Sequence, residues 1–255
     1  MSLARYEWGD PGLPALVCLH GVTSHGRHFE QLAERLSDRF HVVALDLRGH
    51  GGSPWEPPWN LEQHVADVLE AAPPGRAAWL GHSFGGRVAY ETAAAAPERV
   101  ERLVLLDPAI LIPPFVGIAA AENARRDRSY VSFEEGIDRR YEESVLTTAP
   151  RELVEGELLV HLLPDDDGRF RYRYCQSAVV AAYGEMTRTP PAFGRVRIPT
   201  LLVLGETSYI PYDDLLDAHE AALGDLLRVE RLTAGHTVLW DALDDTVGAV
   251  EHFLS

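Results

Sequence analysis

Ser83 stands in Gly81-His82-Ser83-Phe84-Gly85, after the apolar run Ala77–Leu80 and before the alanine-rich stretch Arg87–Ala96. A serine at the tip of a strand–turn–helix presents its hydroxyl above a sheet, where it can attack an electrophilic carbon. The glycines follow from that geometry, because only small neighbours let strand and helix close around so sharp a turn. Serine alone is a poor nucleophile, so a base must lie within hydrogen-bond reach and a carboxylate must orient that base. The chain order for such a turn is nucleophile, acid, histidine. Of eleven histidines, His236 follows the last expected strand, in Ala234-Gly235-His236-Thr237. His28, His41, His64, His161, His219 and His252 read as surface or packing residues, and His82 is expected to point away from the hydroxyl. An attacked carbonyl also needs two preorganised N–H donors. Phe84 supplies one, directly after the nucleophile. The loop opened by His20-Gly21 supplies the other, assigned to Val22.

The elements that must position these residues alternate along the chain. Leu3–Trp8 reads as a strand closed by Gly9-Asp10-Pro11-Gly12. Pro14–His20 and His41–Leu45 are continuous apolar runs, the mark of strands buried on both faces of a parallel sheet. Helices are expected over Phe29–Leu36, with apolar residues at helical spacing, and over Leu61–Ala71. A further strand is expected over Arg102–Asp107. This is α/β alternation, so the core is a mostly parallel central sheet flanked by helices. Alternation breaks after Asp107. Pro108–Val196 shows no clear buried strand, only helical stretches near 119–128, 133–143, 150–163 and 173–186. The expected division is a core of 1–108 and 197–255 with an inserted helical cap of 109–196. Alternation resumes with a strand over Thr200–Leu204, a helix near 213–223, a strand at 226–232 and a last helix over 241–254.

Bulk composition narrows the partners. The chain has 255 residues, 39 acidic and 23 basic, for a net charge of −16. Nucleic-acid binding needs clustered basic side chains, and anionic membrane surfaces are disfavoured for the same reason. A small-molecule substrate is expected, with the protein a monomer or homodimer. Cys18 lies in an apolar run as a buried free thiol, and two cysteines imply no disulfide framework. No leader is visible at the N-terminus, and no apolar run approaches the roughly 20 residues of a membrane helix. A cytoplasmic location is expected. Asp165-Asp166-Asp167-Gly168 lacks the ligand spacing of a calcium loop and reads as a solvated turn, so no metal is expected. Arg169–Tyr174 interleaves basic and aromatic residues, but one short patch in so acidic a chain reads as packing. The run Ile110-Leu111-Ile112-Pro113-Pro114-Phe115-Val116 suits either cap-to-core packing or the wall of an apolar pocket. Apolar residues near the catalytic loops give the expected pocket lining: Val22, Phe84, Ile110, Leu111, Trp55 and Tyr209.

His20-Gly21, Asp46-Leu47-Arg48-Gly49-His50-Gly51-Gly52-Ser53, Gly81–Gly86 and Gly235-His236 stand in an order and at spacings that resemble the α/β-hydrolase superfamily across nearly the whole chain. The resemblance implies a mostly parallel sheet, a helical cap after the strand ending at Asp107, and no cofactor. It also implies that the chain begins at the family's second strand. One segment departs from the pattern. The family's acid usually stands in a Gly-x-x-Asp pattern, and here that stretch reads Gly205-Glu206-Thr207-Ser208. Serine carries no charge and cannot stabilise an imidazolium. The resemblance offers Asp107 as the substitute acid, with Glu206, Asp213 and Asp214 as the alternatives on the later loop. The implied activity is a serine hydrolase that cleaves a carboxylic ester, lactone or thioester of a small, largely apolar substrate through an acyl-enzyme. C–C bond hydrolases and cofactor-free perhydrolases of the superfamily share the triad. The missing Gly-x-x-Asp acid also motivates a non-catalytic small-molecule receptor.

Overall fold

The computed structural model describes residues 2–144 and 149–255. β1 (Arg5–Trp8), β2 (Ala15–Leu19), α1 (Glu30–Leu36), β3 (His41–Leu45), α2 (Leu61–Ala71), β4 (Ala77–His82), α3 (Phe84–Ala95) and β5 (Val100–Leu106) form the first part of the core. An inserted segment follows, which contains β6 (Ser129–Tyr130), β7 (Leu162–Pro164) and β8 (Phe170–Tyr172), and after it come β9 (Thr200–Gly205) and β10 (Leu227–Leu232). The central sheet has seven strands in the order β1-β3-β2-β4-β5-β9-β10. β1 pairs antiparallel with β3, and the other pairs are parallel.

The continuous apolar runs have a direct cause. Side chains alternate between sheet faces, so a strand buried on both faces needs apolar residues throughout. Along β2, Val17 and Leu19 join the cluster formed with Val68 of α2 and Val88 of α3. Leu16 and Cys18 join the opposite cluster with Leu36 of α1 and Val250 of the C-terminal helix. Cys18 is a free, buried cysteine, as its apolar neighbours imply.

The inserted segment adds α4 (Pro114–Ala124), α5 (Phe133–Ser144), α6 (Arg151–Leu158) and α7 (Gln176–Glu185). It also contains strands where none was anticipated. β6, β8 and β7 form a small antiparallel sheet separate from the central one. These strands are two or three residues long, too short for a two-residue alternation to show in sequence. Asp165–Gly168 is the turn between β7 and β8, where Arg171 pairs with Asp165 and Asp167. The basic-aromatic stretch that follows docks on the core: Gly51 N–H donates to the Arg173 carbonyl at 2.6 Å, and Cys175 N–H to Gly49 at 2.7 Å. After β9 come α8 (Asp213–Leu223) and, following β10, a single turn α9 (Val238–Asp241) and α10 (Leu243–Leu254). The expected last helix is thus broken at Ala242.

Candidate active site

The turn around Ser83 is built by close backbone contact. A Cβ on Gly85 would lie 2.0 Å from the Leu19 carbonyl oxygen, and one on Gly81 2.3 Å from that of Gly85. Ser83 itself has φ +53°, the left-handed region that a side-chain-bearing residue rarely adopts. Among the described residues, the other non-glycine residues sharing this property are Thr23 and Asp107, both next to the same site. Strain of this kind persists where surrounding structure over-determines it.

Strand register brings Asp107 to Ser83. His82 of β4 pairs with Leu106 of β5, and Leu106 pairs with Val203 of β9. Ser83 and Asp107 therefore leave neighbouring strands at the same edge. The Ser83 N–H donates to the Leu106 carbonyl at 3.1 Å, and the Asp107 N–H to that of Val203 at 2.7 Å. The loop after β10 brings in His236. Its Nε2 lies 2.9 Å from Ser83 Oγ, and its Nδ1 lies 2.6 Å from Asp107 Oδ2. Ser83 is 4% exposed and Asp107 2%. The Asp107 carboxylate is fully engaged: Gly205 N–H donates to Oδ1 at 3.0 Å, and the Ser208 hydroxyl donates to Oδ2. The later-loop carboxylates point elsewhere. Asp213 pairs with Arg231, and Glu206 accepts from Thr233. Asp214 lies in the first turn of α8.

The His20 loop is held from both sides. His20 Nδ1–H donates to the Gly21 carbonyl at 2.7 Å, and Nε2 accepts the Leu47 N–H at 2.9 Å. Burial lowers the His20 pKa to about 3, so the ring is neutral and keeps this tautomer. Val22 lines the cavity beside it. Phe84 opens α3, so its N–H lies outside the helix's own hydrogen-bond ladder, on the Ser83 side. The Asp46–Ser53 motif is scaffolding. Asp46 accepts the N–H groups of Gly26 and Gly52, and Arg48 grips Asp67 with two hydrogen bonds.

A cavity of about 580 Å³ lies over Ser83 and His236. Val22 and Tyr209 line it, the latter with its ring centroid 4.9 Å from that of His236. Four expected lining residues do not. Ile110 is fully buried in the core, its carbonyl held by the Arg87 guanidinium. Leu111 is half-buried away from the cavity. Trp55 is 38% exposed, its indole N–H on the Gly51 carbonyl and Arg173 over its ring. The Phe84 side chain is likewise core, and only its backbone faces the site. From the same apolar run, Ile112 and Val116 form the wall. Period cannot separate these residues, because the chain between Asp107 and α4 is neither strand nor helix.

His82 was expected to point away from the hydroxyl. Its Nε2–H donates to the His236 carbonyl at 2.9 Å rather than bonding to Ser83, and its ring lines the cavity. Burial holds its pKa well below the ordinary histidine value. His28 is buried and also lines the cavity, joined at 2.8 Å to Glu157 of α6. Ser208, His28 and Glu157 were not legible as site residues, since each acts through a partner distant in sequence. Among the described residues, no group of three or more His, Cys, Asp or Glu side chains converges to hold a metal ion. No helix among them is long and apolar enough to cross a membrane.

The chain is similar to proteins with the same architecture. It is 32% identical over 245 residues to the lipase LipV of Mycobacterium tuberculosis, covering 93% of this chain and 92% of the relative. It is 28% identical over 252 residues to 2-(acetamidomethylene)succinate hydrolase of Mesorhizobium japonicum, covering 94% and 88%. A solved structure of E-2-(acetamidomethylene)succinate hydrolase superposes with a TM-score of 0.84 at 26% identity, over 99% of this chain and 94% of that one. The model of the alpha/beta hydrolase family matches residues 16–249. With that match and a seven-stranded, mostly parallel sheet flanked by helices, the chain belongs to the alpha/beta hydrolase family.

Proposed function

We propose that this protein is a serine hydrolase that cleaves an ester-like bond of a small substrate through an acyl-enzyme. The observation that carries this reading is the hydrogen-bonded chain from Ser83 Oγ through His236 to Asp107. In this mechanism the bound carbonyl carbon sits over Ser83. His236 Nε2 takes the hydroxyl proton as Oγ attacks, and Asp107 stabilises the imidazolium from the other ring nitrogen. The carbonyl oxygen becomes an oxyanion and receives the N–H groups of Phe84 and Val22. His236 then returns the proton to the leaving oxygen or sulfur, and the acyl group stays on Ser83. Water, deprotonated by the same nitrogen, releases the acid.

The bond type follows the same logic. Carboxylic esters, lactones and thioesters all present a carbonyl with a heteroatom leaving group, and relatives named as lipases and methyl ester esterases favour this class. The receptor reading rested on the missing Gly-x-x-Asp acid, and a carboxylate on His236 removes its motive. The test is labelling with a fluorophosphonate, coupled to turnover of p-nitrophenyl esters, lactones and acyl thioesters. Stoichiometric labelling that disappears in Ser83→Ala, with turnover of at least one class, is the expected result. No labelling under conditions that label a known esterase would return the protein to the receptor reading.

A further inference from the structure

Arg140 is set apart from its neighbours by what it lacks. Arg139 pairs with Glu142, Arg151 with Asp138 and Glu155, and Arg188 with Glu62 and Glu185. Arg140, on α5 between them, makes no ion pair among the described residues, and its Nε is buried without a hydrogen-bond partner there. In a chain of net charge −16, a guanidinium has no shortage of carboxylates to find. A buried N–H without an acceptor is costly, and such orphans call for an explanation.

The surroundings place the rest of this side chain at the cavity. Arg140 lines the cavity over Ser83. Its guanidinium carbon lies 5.6 Å from the centre of the Trp240 ring. That ring is fixed in turn, because the indole N–H donates to Glu157 at 2.7 Å. The guanidinium therefore lies over an aromatic ring that is itself hydrogen-bonded, with no ion pair among the described residues to occupy its terminal Nη groups. Arg128 lines the same cavity. Both arginines act electrostatically on Tyr174 and Tyr183, and Arg140 also on Tyr209, the residue beside His236. Opposing carboxylates are few. Asp241 lines the cavity, with Oδ2 occupied by the Gly235 N–H at 2.8 Å. Glu157 lies behind Trp240 and is matched by His28.

We propose that Arg140 is an anion subsite, and that the substrate is an ester or thioester carrying a free carboxylate remote from the scissile carbonyl. The planar guanidinium matches the two carboxylate oxygens, and the apolar wall of Ile112, Val116 and Met186 holds the chain between the charge and Ser83. This inference rests on the hydrolase reading and adds the substrate class to it.

The experiment compares matched esters. On the acyl side, the p-nitrophenyl hemiester of glutaric acid is set against p-nitrophenyl valerate. On the alcohol side, 4-carboxyphenyl butyrate is set against phenyl butyrate. At least one carboxylate-bearing member should exceed its neutral partner in kcat/KM by about tenfold at low salt, the scale of one charge-assisted bidentate contact. Added sodium chloride should shrink that ratio. Arg140→Gln should bring it close to one, Arg140→Lys should restore part of it, and the neighbouring Arg139→Gln should leave it as in the native protein. In parallel, calorimetry on the Ser83→Ala protein should show glutarate binding that Arg140→Gln abolishes and that inorganic phosphate displaces poorly. Binding without any ester turnover would sink the hydrolase reading and keep the subsite. Turnover with both ratios at or below one, or with ratios indifferent to Arg140→Gln, would sink the subsite and keep the hydrolase. Tighter binding of phosphate than of glutarate would overturn the carboxylate assignment.

Discussion

Ser208 donates its hydroxyl to Asp107 Oδ2, the same oxygen that lies 2.6 Å from His236 Nδ1. The residue standing where the family usually has its acid is thus a hydrogen-bond donor to a carboxylate brought in from the neighbouring strand. Ser208 is itself fixed, because its Oγ accepts the Ile210 N–H at 3.1 Å. The two residues follow adjacent strands, β5 and β9, and meet at one carboxylate oxygen.

Asp107→Asn should keep the fold and lower kcat by roughly 10³–10⁴-fold, because an amide supplies no charge and favours the wrong histidine tautomer. Asp213→Asn and Glu206→Gln, which lose only surface contacts, should stay near native rates. Steady-state kinetics with circular dichroism decides it. Native kcat in Asp107→Asn, with a loss in either other variant, would move the acid to the later loop.

The contact between Asp107 and Ser208 makes the acid transplantable. Asp107→Asn/Ser208→Asp should recover at least about tenfold of the kcat lost in Asp107→Asn, because a carboxylate returns to hydrogen-bond range of His236 Nδ1. Ser208→Asp alone should do harm, since two carboxylates sharing one site raise a pKa and disturb the histidine. Equal rates for Asp107→Asn and the double variant would show that residue 208 cannot reach the ring.

Glu157 fastens the inserted segment to the core. Burial would raise its carboxyl, but His28, His25 and Trp240 outweigh that and bring its pKa down to about 2. A carboxylate depressed below its ordinary value stabilises the fold above that value and loses the contribution as pH falls toward the folded one. Glu157→Ala should cost about 2 kcal/mol or more in urea unfolding at pH 7, since it strands the His28 and Trp240 donors. The difference between native and variant should shrink as pH drops from about 4.5 toward 2. A pH-independent difference would mean that packing, not charge, holds this contact.

Buried neutral histidines set the acid limit of the fold. Burial lowers His20, His50 and His64 to about 3, against 6.5 for a free ring. The unfolded chain binds these protons and the folded one does not, so this part of the stability is whole above pH 6.5 and is lost as pH falls toward 3. Urea midpoints should drop across that window. In His64→Phe, whose native ring packs on Phe84, the slope between pH 4 and 6 should fall by one proton, about 1.36 kcal/mol per pH unit. An unchanged slope would show that His64 titrates in the folded state.

The Ser83 turn and the His236 loop were legible in the sequence because their requirements are local. Small residues must flank so tight a turn, and a histidine directly after the last strand has one place to go. The central sheet was legible for a similar reason, since burial on both faces demands unbroken apolar runs such as Leu16–Leu19 and Val42–Leu45. The approach of Asp107, rather than a later-loop carboxylate, to His236 was not local. It depends on β5 lying between β4 and β9, a pairing order that no single strand encodes. The cavity wall was decided the same way: between Asp107 and α4 the chain follows neither a strand nor a helix period, so only packing sends Ile110 into the core and Ile112 to the cavity. Arg140 reads in sequence as one of many arginines on a charged helix. What distinguishes it is an Nε without a partner among the described residues and a tryptophan from 100 positions away in the chain, and both arise only when the inserted segment closes on the sheet.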